Sequence, residues 1–418
     1  MVINKTLSSG VRVVIEPNPY VQSAAIGIWV RTGSIDENEK NRGISHFIEH
    51  MLFKGTEKRT ARQIAEDSDW IGAQVNAFTS KEVTCYYMKV LASELENACE
   101  ILTDMFLHSR FDPEEMEREK NVIYEEMKMS EDDPEDDVHD LAQERVFRGT
   151  PFECPVIGYK ETLAPLQQSD LNAYFYEKYT ADHIVVSAAG NVDADSFCAY
   201  FEKALQGLKP TREDPSFVPL TKKTECFVKV KEVEQSHLCL AIEGTAMKQD
   251  SHYAFSVFSN LFGGSMSSRL FQKIREEKGL AYSVYSTSQA YSSLGVFSIY
   301  AGVAHDKTEE LLDAISEELD LLKCGTIGER EIHMAKLQLK SSYTFSQENV
   351  SSRMFAIGRS TLLLDEVLSP AEVLERVDRV TAQDVAEVAL RLSDLKRYSG
   401  VLISRSDLDL ERWLGACV

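Results

Sequence analysis

The sequence predicts an α+β fold built twice: two homologous domains, each a mostly antiparallel sheet packed with helices. Three observations carry this. The chain has 418 residues, too many for one ordinary core. Residues 208–223 combine spaced prolines, mixed charge and little periodicity. They read as a linker between a domain at 1–207 and another at 224–418. The elements on either side of the linker come in the same order.

In the first half, the apolar run SAAIGIWVRTG (23–33) reads as a strand. A helix carrying HFIEH follows it, then a second helix around 60–72. AQVNAFTS (73–80) and EVTCYYMKVL (82–91) read as strands, and 92–106 as a helix. A long helix starts at Asp112, where DPEE supplies an N-cap Asp, Pro at the first helical position and Glu at the third. A helix at 169–179 and the strand HIVVSAAG (183–190) complete the half.

The second half repeats this plan. A strand at 236–244 precedes helices at 251–264 and 268–279, strands at 281–288 and 295–303, and helices at 307–323 and 328–345. Aligning the two long helices gives an offset of about 215 residues. Opposite HFIEH the second half has SVFSN, without histidine or acid. The fold therefore does not need the motif.

Composition narrows the function classes. With 43% hydrophobic and 27% charged residues the chain is globular throughout. No run of about 18 apolar residues exists to span a membrane, and the N-terminus lacks the apolar region of a signal peptide. The eight cysteines are scattered singly with no CxxC, which fits reduced thiols and a cytoplasmic location. A net charge of −22 argues against a nucleic-acid partner. Residues 1–210 hold 37 acids against 21 bases, and 211–418 hold 30 against 24. That surplus favours a cationic ligand.

Only nine histidines occur in the chain, yet His46 and His50 stand one helical turn apart around Glu49. As a bare pattern this is either a solvated helix face or half of a metal site. On a helix the two imidazoles share one face and can share one cation. Glu49 can flank that cation without binding it, the position of a general base. A catalytic zinc needs a third protein ligand and a position open to water. The helix from Asp112 offers Glu119 and Glu126, seven apart on one face, with Val122 and Ile123 expected to be buried beside them. Glu126 suits a ligand and Glu119 a supporting carboxylate, although acidic chains also carry such pairs on solvated helices.

HFIEH, the glutamate of VIYEEM 76 positions beyond the second histidine, GSIDE (33–37), NAFTSKEVTCYY (76–87), YTADHIVVSAAGNVD (179–193) and SSRLFQKIREEKGLAYSV (267–284) together resemble the pitrilysin-type inverzincins. The likeness runs nearly end to end and is strongest to bacterial relatives of the mitochondrial processing peptidase β-subunit. It implies a zinc metalloendopeptidase with one zinc per chain, held by His46, His50 and Glu126, with Glu49 as general base and Glu119 in support. It also implies that Arg275 and Tyr282 act on the substrate carbonyl, and that Asn76, Ala77 and Phe78 lie on an edge strand that holds an extended peptide. Phe53 would line a substrate pocket, and Asp136 and Asp140 would grip a substrate arginine. Gly263 and Gly264 would let the backbone swing or come close to substrate. The expected partners are a peptide or unfolded polypeptide and either a second copy or a related chain. The alternative the resemblance leaves open is a non-catalytic partner or scaffold subunit that binds peptides without cleaving them.

Overall fold

The computed structural model describes residues 2–209 and 224–415, so the linker expected at 208–223 lies, beyond Leu208 and Lys209, outside the described residues. Six strands form the first sheet: β1 (Ile3–Thr6), β2 (Arg12–Pro17), β3 (Ser23–Val30), β4 (Gln74–Thr79), β5 (Thr84–Leu91) and β6 (Ile184–Gly190). Their order is β1-β2-β6-β3-β5-β4. Five form the second: β7 (Cys226–Val230), β8 (Ser236–Glu243), β9 (Ala281–Ala290), β10 (Gly295–Val303) and β11 (Ser399–Ser404), in the order β7-β11-β8-β10-β9. One pair in each sheet is parallel, β2 with β6 and β7 with β11; every other pair is antiparallel. Read from β2, the two sheets have the same plan, which is the duplication expected from sequence. The inner strands β3 and β6 are near-continuous small and β-branched runs because both their faces are covered.

One face of the first sheet carries α1 (Ile44–Met51), α2 (Ala61–Trp70), α3 (Leu95–His108) and α4 (Pro113–Asp132). Phe47, Ile48 and Met51 of α1 pack there with Ile28, Leu102, Phe106 and Ile123 in a single buried cluster. The opposite face is covered by a helix from far along the chain, Val350–Leu364. Gly358 makes its close approach possible, since a Cβ there would lie 2.2 Å from Trp29 Nε1. Trp29, Phe78 and Phe355 form an aromatic triangle on this face, with ring centroids 5.7–5.9 Å apart.

The second sheet follows the same scheme. Leu238, Leu240, Phe255, Phe258, Phe262 and Phe297 fill one side. The helix α5 (Pro134–Val146) packs on β8, β10 and β11. The compact units are therefore discontinuous. The first comprises 1–127, 154–216 and 345–368, and the second 128–153, 217–344 and 369–418. A single cut near residue 210 does not reproduce them, because each sheet's second face is covered by a helix from the other half of the chain.

Three further expectations are corrected. Val122 is half-exposed, and only Ile123 of that pair is buried. Gly263 is buried, and a Cβ there would lie 2.4 Å from the Ser286 backbone nitrogen; its smallness serves helix-on-strand packing. Six described cysteines are free thiols, but Cys226 is disulfide-bonded, so it is not a reduced thiol. Among the described residues no helix is long and apolar enough to cross a membrane.

Candidate metal centre

The centre is built from two helices of the first unit. Helix α1 is only eight residues long and buried almost all round, which fixes its rotation: Phe47, Ile48 and Met51 enter the core, and His46, Glu49 and His50 take the remaining surface. Helix α4 starts as its sequence predicts. Asp112 Oδ1 accepts from the Glu114 and Glu115 N–H groups at 3.0 and 3.2 Å, with Pro113 at the first position. Its buried residues Met116, Glu119, Lys120 and Ile123 fall at helical spacing and aim that stripe at α1.

His46, His50 and Glu126 converge, with their candidate ligand atoms all within 4.8 Å of one another. His46 Nε2 lies 3.8 Å from Glu126 Oε1, and His50 Nε2 lies 3.6 Å from Oε2. Ligands held tetrahedrally at zinc distances stand about 3.4 Å apart, so a small adjustment closes the set around one ion. Two imidazoles and a carboxylate are the donor types zinc takes in catalytic sites. Glu126 is half-exposed while both histidines are largely covered, which leaves one side of the centre accessible.

Glu119 Oε1 bonds His50 Nδ1 at 2.8 Å, and Lys54 Nζ sits 2.6 Å from Glu119 Oε2. Holding Nδ1 turns the His50 Nε2 lone pair toward the centre. Burial alone would raise the Glu119 pKa, but His50 and Lys54 outweigh it, and the carboxyl stays below its ordinary value. Burial favours neutral His50, yet the bond and charge of Glu119, with Glu126 and Glu49, hold its pKa up. Burial, with His50 beside it, pushes His46 down to about 3, so its ring is neutral and can donate a lone pair. The buried His46 Nδ1 has no hydrogen-bond partner among the described residues.

Glu49 stands beside the centre and is not one of its donors. Thr79 Oγ1 on β4 donates to Glu49 Oε2 at 2.5 Å. Burial raises the Glu49 pKa, while this bond and the charge of His50 pull the other way. Sequence reasoning singled out neither Thr79 nor Lys54. Lys54 follows His50 at helical spacing, a signal that was available. For Thr79 the only signal was membership of NAFTSKE, since no periodicity relates position 79 to position 49.

β4 is one edge of the first sheet, β1 being the other. The Ser80 N–H bonds the Val83 carbonyl across the hairpin at 2.8 Å. Antiparallel alternation therefore turns the main-chain groups of Thr79, Ala77 and Val75 away from β5, toward the open edge. Of the three residues expected to hold a peptide, Ala77 presents its main chain there. Asn76 reaches the edge through its side chain, whose Oδ1 accepts the Ala77 N–H at 2.8 Å. The Phe78 ring packs against Trp29 and Phe355 instead. Phe53 is partly buried against the core.

The remaining candidates belong to the second unit. Arg275 lies on a π-helical turn, Phe271–Glu277, and Tyr282 near the start of edge strand β9. They touch: Arg275 Nη1 donates to the Tyr282 carbonyl at 3.0 Å, and its guanidinium lies 4.6 Å from the centre of the Tyr282 ring. Asp136 and Asp140 are one turn apart on the exposed side of α5.

Comparison with known proteins bears on the family and the fold. Residues 12–160 match the family described as insulinase (peptidase family M16), and residues 165–339 the one described as peptidase M16 inactive domain. An uncharacterized zinc protease of Bacillus subtilis is 43% identical over 411 residues, covering 97% of this chain and 99% of that one. One of Streptomyces coelicolor is 37% identical over 397 residues, covering 92% and 85%. The solved structure of a protease from Helicobacter pylori aligns with a TM-score of 0.89 over 97% of this chain and 99% of its own, at 21% identity. That likeness concerns the fold.

Proposed function

The chain belongs to the insulinase family, peptidase family M16, and on that premise we propose that it is a zinc-dependent metalloendopeptidase acting on peptides or unfolded, presequence-like polypeptides. One observation carries the reading: His46, His50 and Glu126 converge as a donor set, with Glu49 beside it and outside it. Zinc, when bound, supplies Lewis acidity toward water and the scissile carbonyl. The chain's own residues do the rest. Glu49 takes a proton from the attacking water and returns it to the leaving amine. Glu119 keeps His50 in its donor orientation. The outward main-chain groups of Ala77 and its edge neighbours hold the peptide extended, largely without regard to its sequence.

Several finer assignments belong to the same proposal. Arg275 and Tyr282 donate to the developing oxyanion, Phe53 lines a pocket, and Asp136 with Asp140 receives a basic side chain. The acidic surplus supports a preference for basic peptides, and the family resemblance supports pairing with a second copy or a related chain.

The test pairs metal content with cleavage of a quenched basic peptide. The expected result is about one zinc per chain, with turnover abolished by a chelator. Glu49→Gln should keep the zinc and lose turnover by several orders of magnitude. Retained activity in that variant would remove Glu49 from the general-base role. Zinc without turnover in the unaltered protein would identify a peptide-binding partner subunit instead.

A further inference from the structure

The metal helix has an unusual beginning. Gly43 stands at its N-cap with φ +93°, and a Cβ there would lie 2.6 Å from the Ile157 carbonyl oxygen. Only glycine fits, so the residue that would ordinarily cap the helix has no side chain to do it. The exposed N–H groups of the first turn must find acceptors elsewhere. They find them on Glu37. Its Oε2 accepts from the Gly43 N–H at 2.7 Å and its Oε1 from the Ser45 N–H at 2.9 Å. Both carboxylate oxygens thus grip the turn in which His46 follows Ser45.

The loop that ends in Glu37 is itself bound to the edge hairpin. Ser34 N–H donates to the Ser80 carbonyl at 3.1 Å and Ile35 N–H to the Lys81 carbonyl at 3.0 Å. Gly33 lets this contact close, since a Cβ there would lie 2.3 Å from the Ser80 carbonyl oxygen. Ser45 Oγ returns the connection, donating to the Gly33 carbonyl at 3.2 Å and meeting Tyr174 Oη at 2.9 Å. Residues 33–37 therefore tie the helix that carries His46, Glu49 and His50 to the hairpin that carries Thr79 and the β4 edge. Burial pushes the Glu37 pKa up to about 8, against the pull of the two backbone bonds.

Resting on the peptidase reading, we infer that Glu37 is a positioning residue: its two-oxygen grip on the first turn of α1 sets where His46 and His50 stand relative to Glu126 and to the edge strand. It touches neither metal nor substrate. Loss of the grip lets α1 shift along its axis, which loosens the donor set without removing a donor.

The experiment measures zinc affinity of the full chain by competition with a chromophoric chelator, for Glu37→Gln, Glu37→Ala and Thr60→Ala. Thr60 caps the neighbouring helix α2 through the Gln63 N–H, so its variant controls for loss of a helix cap away from the site. Glu37→Ala should weaken zinc binding about 10- to 100-fold, the range for groups supporting a metal site. Glu37→Gln, which keeps one acceptor, should fall between it and the parent, and Thr60→Ala should match the parent. The visible spectrum of the Co²⁺-loaded protein should change in both Glu37 variants and not in Thr60→Ala. If Glu37→Ala does not fold, Glu37→Gln alone decides. Parental affinity and an unchanged Co²⁺ spectrum in the Glu37 variants would overturn the inference while leaving the peptidase reading intact. A parent that holds no zinc would end both.

Discussion

Replacing Thr79 by valine tests whether Glu49 works as a positioned base. The two side chains have nearly the same shape, so the change removes the bond to Glu49, with a longer 3.4 Å contact from Thr84 Oγ1, and leaves no cavity. That bond is the 2.5 Å contact from Thr79 Oγ1 to Glu49 Oε2, at the short end for a hydroxyl on a carboxylate. Hydrogen bonds to charged groups contribute about 1.5–3 kcal/mol. If all of that serves to hold the base, kcat falls roughly 10- to 150-fold. The sign of the pH effect follows from the forces on Glu49. Burial raises its pKa and the Thr79 bond opposes the rise, so the variant's pKa moves further up. If Glu49 is the base, catalysis needs its carboxylate and is lost as pH falls through that pKa. The acid limb of the rate profile should therefore shift to higher pH, and the deficit should be greatest on the acid side. KM should change little, because the Thr79 main chain still lines the edge. The assay is kcat and KM for a quenched peptide across pH, with zinc content measured alongside. A kcat within twofold of the parent at every pH would refute the assignment of Thr79 to Glu49.

Two other perturbations separate site from scaffold. Glu119→Ala removes the partner of both His50 Nδ1 and Lys54, so zinc affinity measured by chelator competition should drop about 10- to 100-fold while all three candidate ligands remain. Asp104 lies away from the centre, where it accepts from Thr56 at 2.8 Å and Arg59 at 2.7 Å. Burial would raise its pKa, but Thr56, Arg59 and Lys58 outweigh burial and hold it below the ordinary value. Its stabilisation is thus full above the unfolded-state pKa and lost as pH falls through the folded one. Asp104→Asn should cost about 3 kcal/mol in denaturant titrations at neutral pH, a deficit that shrinks below about pH 4.

Much of the site was legible before any coordinates because its parts sit on regular elements. HFIEH is short enough that helical spacing alone puts both imidazoles on one face, and the Asp112 cap sets the frame in which Glu119 and Glu126 share theirs. Glu37 and Thr79 were not legible as helpers of this site. Each reaches it from a loop or a strand, and no periodicity links position 37 to 43 or 79 to 49. At Phe78 strand alternation decides what the motif leaves open, and its ring packs onto Trp29 and Phe355.

The sequence by itself determined the duplicated α+β plan, the donor types of the candidate metal centre and the α4 start, all consequences of local pattern. Only the tertiary structure decided which helix covers which sheet face. An amphipathic stripe states that a helix must be buried, not against what. So α5 completes the second sheet and Val350–Leu364 completes the first. The parallel pairings of β2 with β6 and β7 with β11 were likewise invisible. Each joins strands separated by well over a hundred residues, and the free energy that selects such a partner resides in the packed core, where no single segment carries it.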